Sequence, residues 1–164
     1  MIALILLAMA DANLRAPQTA TLACGAGTFI AESRRWAGDQ APLAPATQSL
    51  SVTVAKTRRS VPLEPTRIVD VEERQVRNRF LANWGCVKGV TGASYVVLGY
   101  ACAVDPGYAN DCGGEQEWFR YLNDRGRVMD MGVPHNGPVR TRLQRRLGIA
   151  RALRTGRRFT AVVS

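Results

Sequence analysis

Four cysteines stand behind an N-terminus with no charged or polar side chain, and together these two features constrain the fold most. Residues 1–10 read MIALILLAMA, and Asp11 ends the apolar run. A short apolar run followed by small residues is the core pattern of a secretory signal. Ala8-Met9-Ala10 and Ala10-Asp11-Ala12 both match a small-x-small cleavage site. A membrane span needs about 20 apolar residues, so none is expected after cleavage. The organisation expected is a signal peptide over 1–12 and one globular domain over 13–164, periplasmic or secreted. The start lacks the usual Lys or Arg, so a buried N-terminal element of a cytosolic protein is the competing reading. A lipidated Cys24 is disfavoured, because Thr21-Leu22-Ala23-Cys24 lies well past Asp11.

Export gives the cysteines their meaning. An even number in an oxidising compartment reads as two disulfides. Cys102 and Cys112 flank AVDPGYAND, where Asp105-Pro106-Gly107 supplies a turn, so this pair closes a local loop. By elimination Cys24 joins Cys86. Loop entropy assigns about 3 kcal/mol to the short closure and about 4 kcal/mol to the long one. Zinc is the competitor, but there is no Cys-x-x-Cys and His135 is the only histidine. No metal and no other cofactor is expected.

Periodicity supplies the elements. Thr19 to Glu32 reads as strand broken at Gly25-Ala26-Gly27, and Ala37 to Gln48 as a loop. Leu50, Val52 and Val54 alternate with Ser51, Thr53 and Ala55, the signature of a half-buried strand that ends before Pro62 and Pro65. Asp70-Val71-Glu72-Glu73 resembles a capping box, and Val76, Phe80 and Trp84 recur every four residues, which predicts a helix from Asp70 to Gly85. Cys86 to Lys88 then approaches a turn at Gly89 to Gly92. Ser94 to Val104 returns as an apolar strand buried on both faces. Gln116–Leu122 and Arg127–Met131 form a second hairpin with Gly126 in its turn. Val139, Leu143, Leu147, Ala150 and Leu153 make the apolar stripe of a last helix, with Arg140, Arg142, Arg145, Arg146, Arg151 and Arg154 largely off it. Phe159 to Val163 is a short final strand. The fold class expected is α+β: a mainly antiparallel sheet of five or six strands with two packed helices, reinforced by disulfides.

The net charge of +9 is unevenly placed. Residues 1–119 balance 11 Lys+Arg against 11 Asp+Glu, whereas residues 120–164 set 11 Arg against Asp124 and Asp130 alone. The tail therefore carries the whole excess. Its functional reading is an anionic partner, with Arg145, Arg146, Arg154 and Arg157 on one positive surface. The bland reading is a docked helix with merely solvated arginines. Nucleic acid is disfavoured, because export removes the protein from it and no recognition-motif or zinc-finger spacing occurs.

Other constellations are weaker. Glu115 and Glu117 would share one strand face about 7 Å apart, a separation compatible with the paired carboxylates of glycosidases, about 5–10 Å. Asp105, Asn110, Asp111 and Glu115 could offer oxygens to calcium, but their spacing does not match a calcium-binding hand. His135 is the sole imidazole base. Trp118, Phe119 and Tyr121 could form a stacking platform or simply core. Thr91-Gly92-Ala93-Ser94-Tyr95 resembles the Ser-Gly-Ala-x-Tyr loop of periplasmic C-type lysozyme inhibitors over five residues; the resemblance implies a binding module that uses this loop.

The function expected is an exported, non-enzymatic envelope protein that binds an anionic partner through its basic C-terminal helix. That partner is lipid head groups, lipopolysaccharide or an acidic protein. The alternatives are a small glycan-directed envelope hydrolase using Glu115 and Glu117, and a structural or assembly protein. Oligomeric state is not readable from these features.

Overall fold

Strands dominate the chain. The computed structural model describes residues 13–38, 42–103, 112, 116–154 and 159–163. Of these, 50% lie in strands and 12% in helices. The α+β expectation of one five- or six-stranded sheet is thereby corrected to a mostly β architecture with, among the described residues, three sheets and two short helices. Residues 1–12, on which the signal reading rests, fall outside the described residues.

The first sheet is an antiparallel meander of β1 (Gln18–Cys24), β2 (Gly27–Arg34), β3 (Thr47–Val54) and β4 (Thr57–Ser60). Its inward face carries Phe29, Ala31, Leu50 and Val52, all buried, while Thr19, Thr21, Thr28 and Ser49 face outward. This is the alternation expected for Leu50 to Val54, extended over three strands. The turn from β1 to β2 has Gly25 at φ 58°, as the breaker pattern required.

The predicted helix from Asp70 to Gly85 does not form. In its place stand β5 (Ile68–Val71), β6 (Arg74–Arg77) and β7 (Arg79–Lys88). Glu72 and Glu73, read as a capping box, are the two central residues of the β5–β6 hairpin, with φ 50° and 62°. Positive φ at both positions is the two-residue turn whose twist matches its strands. Val76, Phe80 and Trp84 are buried, as expected, but on strands, where a spacing of four also returns to one face until an extra residue at Ala82 turns Trp84 to the other. Val76 and Phe80 pack together under the β5–β6 hairpin, whereas Trp84 enters the main core.

The second sheet has the order β10-β7-β8-β9, with β8 at Ser94–Cys102, β9 at Glu117–Asn123 and β10 at Thr160–Ala161. β8 is paired on both edges and buried on both faces, as its apolar sequence predicts. Val96, Leu98 and Tyr100 face the first sheet, and Tyr95 and Val97 face the helices. A bulge at Ala82 shifts the register of β7, so that Leu81 and Trp84 both point into the core. The backbone N–H and C=O of Leu81 are satisfied by the side-chain amide of Gln48 on β3, at 2.8 Å each. The two sheets thus share one sandwich core, while α1 (Gly137–Leu147) and α2 (Ala150–Arg154) cover the second sheet's other face.

Two disulfides close the structure, Cys24–Cys86 and Cys102–Cys112, with Cα separations of 5.4 and 6.1 Å. Both pairings are the ones expected. Cys24–Cys86 ties the end of β1 to β7 and so crosses between the sheets. Among the described residues no helix is long and apolar enough to cross a membrane.

Candidate functional site

β9 lies between the sandwich core and the helices, and its side chains meet both. Its alternation sends Trp118, Arg120 and Leu122 toward the sandwich side, and Phe119 and Tyr121 toward the helices. Asp130, wholly buried, sits just beyond the Asn123–Gly126 turn, in the arm that returns along β9. One of its oxygens accepts from the Tyr121 N–H at 3.3 Å. The other accepts from Arg140 Nη2 at 2.8 Å and lies 3.4 Å from Arg120 Nε.

Arg140 belongs to α1 but is not solvated. It is 4% exposed, donates to the carbonyls of Pro134 and Phe119, and lies over the Tyr121 ring at 5.0 Å. The expected stripe is therefore rotated. Arg140, Leu143 and Leu147 form the buried face, and Val139, expected inside, is 43% exposed. The reason is electrostatic. A buried carboxylate demands a paired cation, and Asp130 turns α1 toward it.

α1 ends at Gly148, whose φ of 70° is suited to glycine. The Gly148 and Ile149 N–H groups donate back to the carbonyls of Arg145 and Gln144, which terminates the helix. The single helix expected is thus broken in two. Ile149 at the break is fully buried and anchors both parts, while Ala150 and Leu153 are half-buried. The β7–β8 turn fixes the other end of this contact: a side chain at Gly89 would meet the Leu147 carbonyl at 2.2 Å.

This anchoring leaves a basic outer face. Arg142, Arg145 and Arg146 fall within one arc of α1 opposite its buried side, and Arg151 and Arg154 are exposed on α2. None of the five makes an ion pair among the described residues. No acidic residue follows Asp130 in the chain. Arg157 lies outside the described residues.

The other candidates disperse. Glu117 is exposed at the start of β9, and Glu115 lies outside the described residues, as do Asp105, Asn110 and Asp111. Among the described residues no group of three His, Cys, Asp or Glu is placed to hold a metal. His135 stacks on Trp118 with ring centroids 5.1 Å apart, and Trp118 stacks in turn on Tyr100 at 5.8 Å. Trp118 and Tyr121 are buried on opposite faces of β9, so they form no common platform; Phe119 stacks on Phe159 at 5.6 Å. Thr91, Gly92 and Ala93 are exposed in the β7–β8 turn beside Val90, which is 86% exposed.

What sequence reasoning missed is the ionic cluster of Glu64, Arg79, Arg120, Asp130 and Arg140. Arg120 Nε lies 3.0 Å from Glu64 Oε1, and Arg79 Nη1 lies 3.9 Å from Glu64 Oε2. The five residues come from five separate stretches, so no local spacing announces them. Comparison of the chain with protein-family models, with curated proteins and with solved structures gives no match.

Proposed function

We propose that this chain is an exported, non-enzymatic protein that binds an anionic lipid surface of the cell envelope through α1 and α2. One observation carries the reading: five exposed arginines stand on these helices without a carboxylate partner among the described residues. Each cation near an anionic membrane surface contributes about 1 kcal/mol, so four or five together give useful affinity. Arg145, Arg146, Arg154 and Arg157 are the residues assigned to the contact. Two disulfides and an apolar, charge-free N-terminus support an extracytoplasmic location. Anchoring through Arg140, Leu143, Leu147 and Ile149 keeps the helices docked while the outer face is used.

Co-sedimentation with phosphatidylglycerol-containing vesicles tests the reading, with phosphatidylcholine vesicles as control. Binding is expected at low salt and should fall as the Debye length contracts below about 10 Å. Replacing Arg145, Arg146, Arg154 and Arg157 together by Gln should abolish it without unfolding, because the buried face is untouched. Absence of binding at low salt, or binding unchanged in the quadruple variant, overturns the proposal. Binding to polyglutamate but not to vesicles would move the assignment to an acidic protein.

A further inference from the structure

The segment following β4 crosses the inner side of β8 and β9 and leaves a cavity of about 310 Å³ beneath it. Leu63, Leu98, Leu122 and Val128 make much of its wall, with Met131, 79% exposed, at the rim. Its polar wall is Glu64, Tyr100 and Arg120. A mostly apolar cleft with a few convergent polar groups is the usual form of a small-molecule site, and this volume lies at the small end of that range.

Charge says which molecules the cluster beside the cavity favours. The cluster beside the cavity contains three guanidinium groups, on Arg79, Arg120 and Arg140, against two carboxylates, on Glu64 and Asp130. The side chains of Asp130, Arg140, Glu64 and Arg120 are only 0, 4, 9 and 18% exposed. These four balance one another, and the cluster's one excess positive charge stands on Arg79, whose side chain is 29% exposed at the cluster's edge.

Two hydrogen-bond donors at the cavity are also unspent. Arg120 uses Nε toward Glu64 and Asp130 and Nη2 toward the Asp130 carbonyl, which leaves Nη1 without a partner among the described residues. The Tyr100 hydroxyl accepts from the Glu64 N–H at 3.2 Å, and its own proton has no acceptor there. Burial keeps that proton on the oxygen.

We infer that this cavity binds a small monocarboxylic acid with an apolar body. The carboxylate accepts from Arg120 Nη1 and Tyr100 Oη, and the hydrocarbon lies against Leu63, Leu98, Leu122 and Val128. Binding gives the two unused donors a charged acceptor and removes the apolar body from water. The site is separate from the exposed arginines of α1 and α2 and does not depend on their role.

Titration calorimetry of the disulfide-bonded protein with octanoate tests the inference, with octanamide and acetate as controls. Octanoate should bind saturably, octanamide about tenfold more weakly or worse for want of charge, and acetate not detectably for want of a body. Tyr100→Phe should weaken octanoate binding several-fold. Arg120→Gln risks unfolding, so Val128→Phe serves instead: it fills the cavity, leaves every cluster residue in place and should abolish binding. Changing Arg145, Arg146, Arg154 and Arg157 to Gln should leave it unchanged. Absence of saturable octanoate binding, equal affinity for octanamide, retained binding in Val128→Phe, or loss in the α1–α2 variant overturns the inference.

Discussion

Arg140 and Asp130 form an ion pair of 2.8 Å in which the arginine side chain is 4% exposed and the carboxylate not at all. The pair fixes the rotation of α1 about its own axis, because Arg140 also grips the Pro134 and Phe119 carbonyls. The face of α1 presented to solvent is therefore set from inside the protein.

Breaking that pair on one side should be severe. Arg140→Met leaves Asp130 buried with the Tyr121 N–H and, as counter-charge, only the 3.4 Å contact to Arg120, and should cost about 3–5 kcal/mol in urea denaturation. Adding Asp130→Leu to it should recover part of the loss, since no unpaired charge then remains. A single-variant cost below about 1 kcal/mol would contradict this account.

Gln48 should prove as important to stability as any apolar core residue. Its side chain serves both the N–H and the C=O of Leu81 beside the β7 bulge, where the ladder cannot. Gln48→Leu keeps the volume but strands two buried backbone groups, at about 1–3 kcal/mol each. Chemical denaturation should show the loss, and native-state exchange should show faster release of the Leu81 amide.

The two disulfides should differ in worth. Cys24–Cys86 spans 62 residues and Cys102–Cys112 spans 10. Replacing the first pair by Ser should cost about 4 kcal/mol and the second about 3 kcal/mol, from loop entropy. The reverse order in denaturation midpoints would mean that native contacts, not chain closure, set their value.

Alkaline pH should weaken the fold through Tyr100. Burial, and then the charge of Glu64, raise its pKa above the ordinary phenol value, against the bond from the Glu64 N–H. Below pH about 10 folded and unfolded chains both hold the proton, and the stability is fully present. Above it the unfolded chain ionises first and binds fewer protons, so stability falls as pH rises toward the folded value. Urea midpoints measured from pH 8 upward should decline, and Tyr100→Phe should flatten that decline.

Export predicts a mass. Protein recovered from the periplasm or medium should begin at Asp11 or Asn13, as intact-mass spectrometry would show. A chain that keeps Met1 and occurs only in the cytosol would remove the envelope setting from the proposed function.

Several elements were legible without the fold. The run from Ser94 to Val104 announced a central strand, which stands at Ser94–Cys102, because a strand paired on both edges and covered on both faces has no polar position to spare. The Leu50–Val54 alternation and the Gly126 turn were local signals of the same kind. The cysteine pairing followed from one turn-rich loop, since with four cysteines a single assigned pair determines the other.

What local pattern left open, long-range contact decided. Val76, Phe80 and Trp84 satisfy a helical face, and only pairing across the chain, of β6 with β5 and of β7 with β8 around the bulge at Ala82, chose strands. Arg142, Arg145 and Arg146 share one arc of α1 and Arg140 lies on another, beside Leu143 and Leu147, but nothing within the helix itself says that Arg140 is buried. The buried charge of Asp130 does, by drawing one guanidinium inward and leaving the others to solvent. The cavity beside Tyr100 depends still more on tertiary structure, because its walls come from the segment after β4, two neighbouring strands and the arm returning from β9. Periodicity records which face of an element avoids water. Which residues meet across elements depends on paired charges and packing that no single stretch of chain contains.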